Sequence, residues 1–340
     1  MHMARFSRRR IQRREFIGLL GAAAATWPVP SRGQQQGHTA NVAIFSYLKE
    51  NGPAAKSYNE TWFKRLAEFG WSQGRNLKIV YYYTDGNADL ARQHAAALAK
   101  SDVEVVLIAG GAQVRALQQV THTLPIVFVE VSDAVGTGLV QSLARPGGNA
   151  TGFTHFEFDI SGKWLELLKQ IAPNITHIGV LRDSRNQAGN AQFGAIQTLG
   201  RTHGVADVRP LDLQGSSEIE RAITDFAREP NAGLIITPNG LAIIHRDLII
   251  ELAAKYKVPA IYPFRYFAES GGLLAYGPDV ADQYQRAAAY VDLILKGAKP
   301  SELPVEQSTK VDLSLNLKTA RALGITVPDA LLARANTLFE

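Results

Sequence analysis

Asn41-Val42-Ala43-Ile44-Phe45-Ser46-Tyr47 opens a series of short β-branched runs and amphipathic stretches, and His177-Ile178-Gly179-Val180-Leu181-Arg182-Asp183 opens the same series again. Val42–Phe45 reads as a strand, because an unbroken apolar run with β-branched and aromatic members suits a position covered on both faces. Tyr58–Phe69 reads as a helix with Trp62, Leu66 and Phe69 at helical spacing, and Gly70 closes it as a C′ residue would. Leu77–Tyr83 is a second strand, Leu90–Leu98 a second helix, Val103–Ile108 a third strand, Ala112–Val120 a third helix and Ile126–Val129 a fourth strand. The second pass yields Ile178–Leu181, Phe193–Leu199 followed by Gly204, Val208–Leu213, Ile219–Ala227, Leu234–Ile236, Leu248–Tyr256 and Val258–Tyr262. Pro125 and Pro259 each open a strand, where a missing N–H costs the sheet least. Strands separated by helices form parallel βαβ units with right-handed crossovers, so the expected fold class is α/β with two Rossmann-like lobes, each on a parallel sheet.

Between the two passes lies Arg145-Pro146-Gly147-Gly148-Asn149-Ala150-Thr151-Gly152, a turn-rich stretch suited to a crossing between lobes. A second glycine-rich stretch, Gly271-Gly272-Leu273-Leu274-Ala275-Tyr276-Gly277, follows the second pass. Val280–Leu295 then reads as an amphipathic helix with Tyr284, Ala287, Ala288, Val291 and Leu295 on one face, and Lys310–Leu317 alternates like a strand. The economical topology returns the chain to the first lobe at Gly277 and recrosses near Pro304. The expected domains are residues 41–150 with 278–303 as lobe 1 and 153–273 with 306–340 as lobe 2, joined by three crossover segments.

The first 33 residues read as a cleaved export signal, with the cut after Gly33. Arg5, Arg8, Arg9, Arg10, Arg13 and Arg14 form a basic segment, and the apolar run Phe16–Trp27 is too short to span a bilayer, which takes about 20 residues. Arg13-Arg14-Glu15-Phe16-Ile17 resembles a twin-arginine signal, although the general secretory route stays open. The leader also carries the charge: of 36 basic and 31 acidic residues it holds seven arginines and one glutamate, leaving 29 and 30 in the mature chain. The basic pI near 9.3 therefore belongs to the leader, and no electrostatic case for nucleic acid survives. The absence of cysteine excludes disulfides, thiol nucleophiles and a lipid-modified N-terminal cysteine.

Four segments carry a family likeness: Val131-Ser132-Asp133-Ala134-Val135-Gly136-Thr137-Gly138-Leu139-Val140, Leu143-Ala144-Arg145-Pro146-Gly147-Gly148-Asn149, Ala260-Ile261-Tyr262-Pro263-Phe264-Arg265 and Gly271–Gly277. Together they resemble the ABC-transporter substrate-binding family with the type I periplasmic-binding-protein fold, in its amino-acid-binder-like branch. The resemblance implies a small ligand held between two lobes and an ABC permease in the inner membrane as partner. It does not bring the ligand's identity with it.

Catalytic constellations are missing. There is no Gly-x-Ser-x-Gly elbow, no phosphate loop ending in Gly-Lys-Ser/Thr and no His-Glu-x-x-His. Glu157 and Asp159 have no base beside them in the sequence, and the eight scattered histidines read as surface or helix-end residues. No metal and no cofactor are expected.

Position points to a binding site instead. In open parallel sheets ligands sit beyond the carboxyl ends of the strands, where helix starts offer free N–H groups. Those positions are Ser46 and Tyr47, Asp85, Gly110, Gly111 and Ala112, then Glu130, Ser132 and Asp133 in lobe 1. In lobe 2 they are Arg182 and Asp183, Gln214, Pro238 and Asn239, and Phe264 and Arg265, with Tyr276 in a crossover. The ligand-binding set drawn from these is Ser46, Tyr47, Asp85, Gly110, Gly111, Ala112, Ser132, Asp133, Asp183, Pro238, Asn239, Phe264 and Tyr276. Ser46 and Asp183 serve equally as helix caps, Gly110-Gly111 as a tight turn, and Arg265 as partner of a surface acid. A zwitterionic solute would place its carboxylate on the amides of Gly111 and Ala112 and its ammonium on Asp133 or Asp183, with Tyr47, Phe264 and Tyr276 around an apolar side chain. The expected protein is a monomeric periplasmic solute carrier, with a ligand-presenting sensor subunit and a periplasmic enzyme as alternatives. A transcription regulator of similar architecture would begin with a DNA-binding helix-turn-helix, which the leader is not.

Overall fold

A computed structural model describes residues 38–155, 159–185 and 187–340; the expected leader, its cut after Gly33 and Glu157 lie outside the described residues. The first lobe runs β1 (Ala40–Ser46), α1 (Pro53–Glu68), β2 (Leu77–Tyr83), α2 (Ala88–Leu98), β3 (Val105–Ala109), α3 (Gly111–Gln118), β4 (Ile126–Ser132) and β5 (Ala150–His155). The second runs α4 (Asp159–Ile171), β6 (His177–Arg182), α5 (Gln187–Gly200), β7 (Asp207–Asp212), α6 (Ser216–Phe226), β8 (Ala232–Ile236), α7 (Gly240–Ile244), α8 (Arg246–Lys255), β9 (Ala260–Tyr262), α9 (Arg265–Glu269) and β10 (Leu274–Pro278). The chain then forms α10 (Val280–Leu295), β11 (Glu306–Gln307), β12 (Val311–Asn316), α11 (Leu317–Ala322), α12 (Asp329–Leu332) and β13 (Thr337–Phe339).

Two sheets organise these elements. One has strand order β11-β5-β4-β3-β1-β2 and the other β13-β12-β10-β9-β8-β6-β7. Every pairing is parallel except β10 with β12. The central strands β3 (VVLIA) and β8 (AGLII) are buried throughout, as strands covered by helices on both faces must be. The edge strands β2 and β7 are half exposed, and Pro210 is accommodated in β7 because an edge strand can spare one donor.

The sheet memberships move the expected lobe boundaries. Residues 150–152, read as the end of a turn-rich crossing, and 153–155, expected in lobe 2, together form the buried strand β5 of the first sheet. β11 also joins the first sheet, although residues from 306 onward were expected in lobe 2, and β10 carries the second lobe to Pro278. α10 packs against α1 and β4 of the first lobe. The chain thus passes between sheets after β5, after β10 and after β11. These passages are tied together: Ser308 N–H donates to Thr154 O (3.0 Å) and Asp279 N–H donates to Lys310 O (3.0 Å).

α4 is absent from the sequence reading, yet it anchors lobe 2. Trp164, Leu165, Leu167, Leu168 and Ile171 are buried against Ile178, Val180, Ile235 and Leu274. The Trp164 indole N–H donates to the Tyr276 carbonyl at 2.7 Å. Trp164→Phe keeps an aromatic ring but withdraws that donor, and urea denaturation should show a loss of about 1–2 kcal/mol. A loss within error of zero would mean water replaces the indole at that carbonyl.

Candidate ligand-binding site

β1 delivers Ser46 and Tyr47 to the carboxyl end of the first sheet, and local hydrogen bonds pin them there. Ser46 Oγ accepts from Leu48 N–H (3.1 Å), Ser46 O accepts from Thr84 N–H (3.0 Å), and Tyr47 O accepts from Gly86 N–H (3.1 Å). Asp85 lies between those last two donors at φ +44° and faces solvent. Gly110 has φ +95°, where a side chain is strained, and an added Cβ would stand 2.6 Å from Tyr47 Cδ1. The Gly110 turn thus exists so that the Tyr47 ring can lie on it, and α3 starts at Gly111 with Ala112 exposed. Ser132 ends β4 half-buried. Asp133 follows at φ +46° and turns the chain by accepting Gly136 N–H on Oδ1 (2.8 Å); no ion pair to it occurs among the described residues.

The least expected feature of the first lobe is Glu130. The β4–β5 register slips by one residue between Phe128 and Val131, a β-bulge that re-aims the side chain within it. Glu130 sits there at φ +55°, 7% exposed, accepting Tyr47 Oη–H at 2.5 Å and Tyr284 Oη–H at 3.3 Å. Burial pushes its carboxyl up to about 7 against the pull of those two hydroxyls. Tyr58 stacks on Tyr284 with ring centroids 5.0 Å apart. Burial, then the Glu130 charge, pushes the hydroxyls of Tyr47, Tyr58, Tyr266 and Tyr284 well above their ordinary range. Gln283 Oε1 accepts the Glu130 backbone N–H at 2.9 Å, so its amide nitrogen is the donor to His155 Nδ1 at 3.2 Å. His155 is therefore a buried neutral ring, not the surface residue expected, and burial pushes it down to about 3.

In the second lobe, Arg182 ends β6, pairs with Asp212 at 3.2 Å, hydrogen-bonds Asn190 and lies over the Phe193 ring. Asp183 is already engaged: Arg185 binds its two oxygens through Nε (2.9 Å) and Nη2 (3.0 Å). Pro238 is buried, and Asn239 caps α7 by accepting Ala242 N–H at 2.8 Å. Phe264 is buried and meets His155 of the first lobe edge-to-face at 5.7 Å. Arg265 is exposed, 5.9 Å from the Phe339 ring, and Gln214 is exposed. Tyr276 is grouped with the α4-side cluster of lobe 2, apart from the cluster that holds Tyr47 and Phe264, so the structure does not bring these three together.

The lobes meet at these strand ends. One buried apolar cluster runs from Ile44, Tyr47 and Trp62 through to Ile249, Tyr266 and Phe267. An added Cβ on Gly86 of lobe 1 would lie 1.7 Å from Ile244 Cδ1 of lobe 2. Sequence reasoning placed Glu130 at a strand end without choosing it, and left Tyr58, His155, Tyr266, Gln283 and Tyr284 out of the ligand-binding set. The visible signal was an acid between two apolar residues in Val129-Glu130-Val131, which a fully buried strand does not tolerate without partners.

Residues 41–338 match the family described as ABC transporter substrate binding protein. A relative called tyrosine-binding protein, from Clostridioides difficile (strain R20291), is 24% identical over 283 residues, covering 83% of this chain and 80% of its own. Among solved structures, a conserved domain protein from Vibrio cholerae O1 biovar El Tor is 28% identical with a TM-score of 0.81, over 88% of this chain and 99% of that one. A Streptococcus pneumonia protein, the ABC domain in complex with L-Trp, is 22% identical with a TM-score of 0.81, over 88% of this chain and all (100%) of that one. Because the family match spans both sheets and the passages between them, this chain belongs to the ABC transporter substrate-binding protein family.

Proposed function

We propose that this protein captures an amino acid with an apolar or aromatic side chain between its lobes and delivers it to an ABC permease of the inner membrane. The observation that carries the reading is the convergence of strand ends, a helix start and aromatic rings from both sheets where the lobes meet. A tyrosine-binding relative and an L-Trp-bound structural neighbour support the same ligand class. The amides of Gly111 and Ala112 receive the ligand carboxylate, since unpaired donors and the helix dipole favour an anion there. Asp133 receives the ammonium, because the Asp183 carboxylate is held by Arg185. Tyr47 and Phe264 flank the apolar part. In this reading the carrier is a monomer in the periplasm, exported by its twin-arginine-like leader, with no cofactor and no catalysis of its own.

Titrating the mature protein with each of the twenty amino acids by calorimetry tests this. At least one aromatic or branched amino acid should bind, and Asp133→Asn should weaken it about tenfold, roughly 1.4 kcal/mol. Binding of a sugar or nucleoside in place of every amino acid would overturn the ligand class, and unchanged affinity in the variant would remove Asp133 from the site.

A further inference from the structure

Glu130 is a costly residue to keep where it is. A carboxylate inside an apolar strand loses its water, and a bulge and a left-handed backbone are needed to aim it. Its surroundings come from every element of the joint. Tyr47 reaches it from the end of β1, Tyr284 from α10, and Tyr58 stands beside Tyr284 on α1. Gln283 and behind it His155 hold its backbone. From lobe 2 comes Tyr266 with Arg246 5.8 Å from its ring, and Arg265, Glu269 and Asp279 are the further charges felt by these tyrosines. Among the described residues no cation pairs with the Glu130 carboxylate, so its two hydrogen bonds are directed at the tyrosines.

We propose that Glu130 is a positioning residue for ligand capture: by accepting the Tyr47 and Tyr284 hydroxyls it holds the Tyr47 ring on the Gly110 turn and so prepares the lobe 1 surface that Tyr266 of lobe 2 meets on closure. The proposal rests on the interlobe reading of the ligand site. Closing lobe 2 over Glu130 takes its carboxyl further from water, which favours the neutral acid, and the neutral acid still accepts a tyrosine hydroxyl on its carbonyl oxygen. Burial, which raises this carboxyl to about 7, puts that change within reach of ordinary buffers.

Two readouts separate this proposal from the reading beneath it. The chain has no cysteine, so Gln93→Cys and Glu220→Cys, both exposed, place one spin label on each lobe for distance measurement without ligand. The wild-type background should hold a larger population at the short separation at pH 6 than at pH 8, with a midpoint near 7. Glu130→Gln should remove the pH response, while Asp133→Asn should keep it. With L-tryptophan and L-tyrosine as probes, wild-type affinity should fall about tenfold from pH 6 to pH 8 and stay level in Glu130→Gln. Tyr47→Phe, which leaves the carboxyl and removes a hydroxyl that favours its ionised form, should move the midpoint to higher pH. A flat wild-type response in the distances, the same midpoint in Glu130→Gln, or tighter closure on the alkaline side would each overturn the positioning role. Failure of both amino acids to bind would overturn the ligand class alone, with the distances still deciding for or against Glu130.

Discussion

Glu130→Gln should gain stability relative to wild type as pH rises from 4.5 to 6.5, and His155→Gln should lose it over the same interval, each by about 2 kcal/mol. The signs follow from which state holds the proton. The His155 ring titrates near 3 in the folded protein against an ordinary 6.5, so the unfolded chain binds a proton that the folded one refuses. Its contribution is full above 6.5 and is lost as pH falls towards 3. Glu130 is the reverse, near 7 against an ordinary 4.5, so the folded protein keeps a proton that the unfolded chain releases. Its contribution is full below 4.5 and is lost as pH rises to 7. In the wild type the two slopes oppose each other across the shared window, and removing either group exposes the other. Urea denaturation at several pH values measures the differences, in which all other titrating groups cancel. Variant curves that run parallel to wild type would show that neither group is held in the state described.

Gly86→Asn is expected to weaken amino-acid binding about thirtyfold, close to 2 kcal/mol, while changing the stability of the ligand-free protein little. Gly86 has φ +70°, a conformation asparagine tolerates better than other side chains, so the local backbone cost is small. The clash is with the other lobe. A lone Cβ would stand 1.7 Å from Ile244 Cδ1 and 3.0 Å from Cγ1, so a whole amide side chain must push the Ile244 side chain out of its place against lobe 1. Overpacking at this contact therefore raises only the state in which the lobes touch, and by linkage it lowers affinity for any ligand that needs that state. Adding Ile244→Ala to the Gly86→Asn variant should restore most of the binding. Affinity unaltered by Gly86→Asn would mean that this edge does not come together when ligand binds.

The α/β class, the doubling of the chain and most element positions were decided by local pattern. Leu77–Tyr83 and Val280–Leu295 are legible at their observed bounds, because a strand of β-branched and aromatic residues and a long amphipathic helix each carry their own periodicity. β5 was hidden, since Ala150-Thr151-Gly152 reads as the end of a turn-rich stretch and Phe153-Thr154-His155 is too short to carry a period, and only pairing with β4 and β11 makes the six a buried strand. The site divides along the same line. Position at strand ends follows from topology, so Ser46, Tyr47, Gly110 and Asp133 could be named from sequence. What those side chains do depends on neighbours far away in the chain. Tyr276 lies with the α4-side cluster, and Glu130 meets Tyr284 across 154 positions. A bulge of one residue turns Glu130 inward, and burial then decides its proton affinity. Sequence periodicity determined which segments would be strands and helices; the charge and partners of each buried group were decided only by tertiary packing, because desolvation and hydrogen bonding act through space and leave no period in the chain.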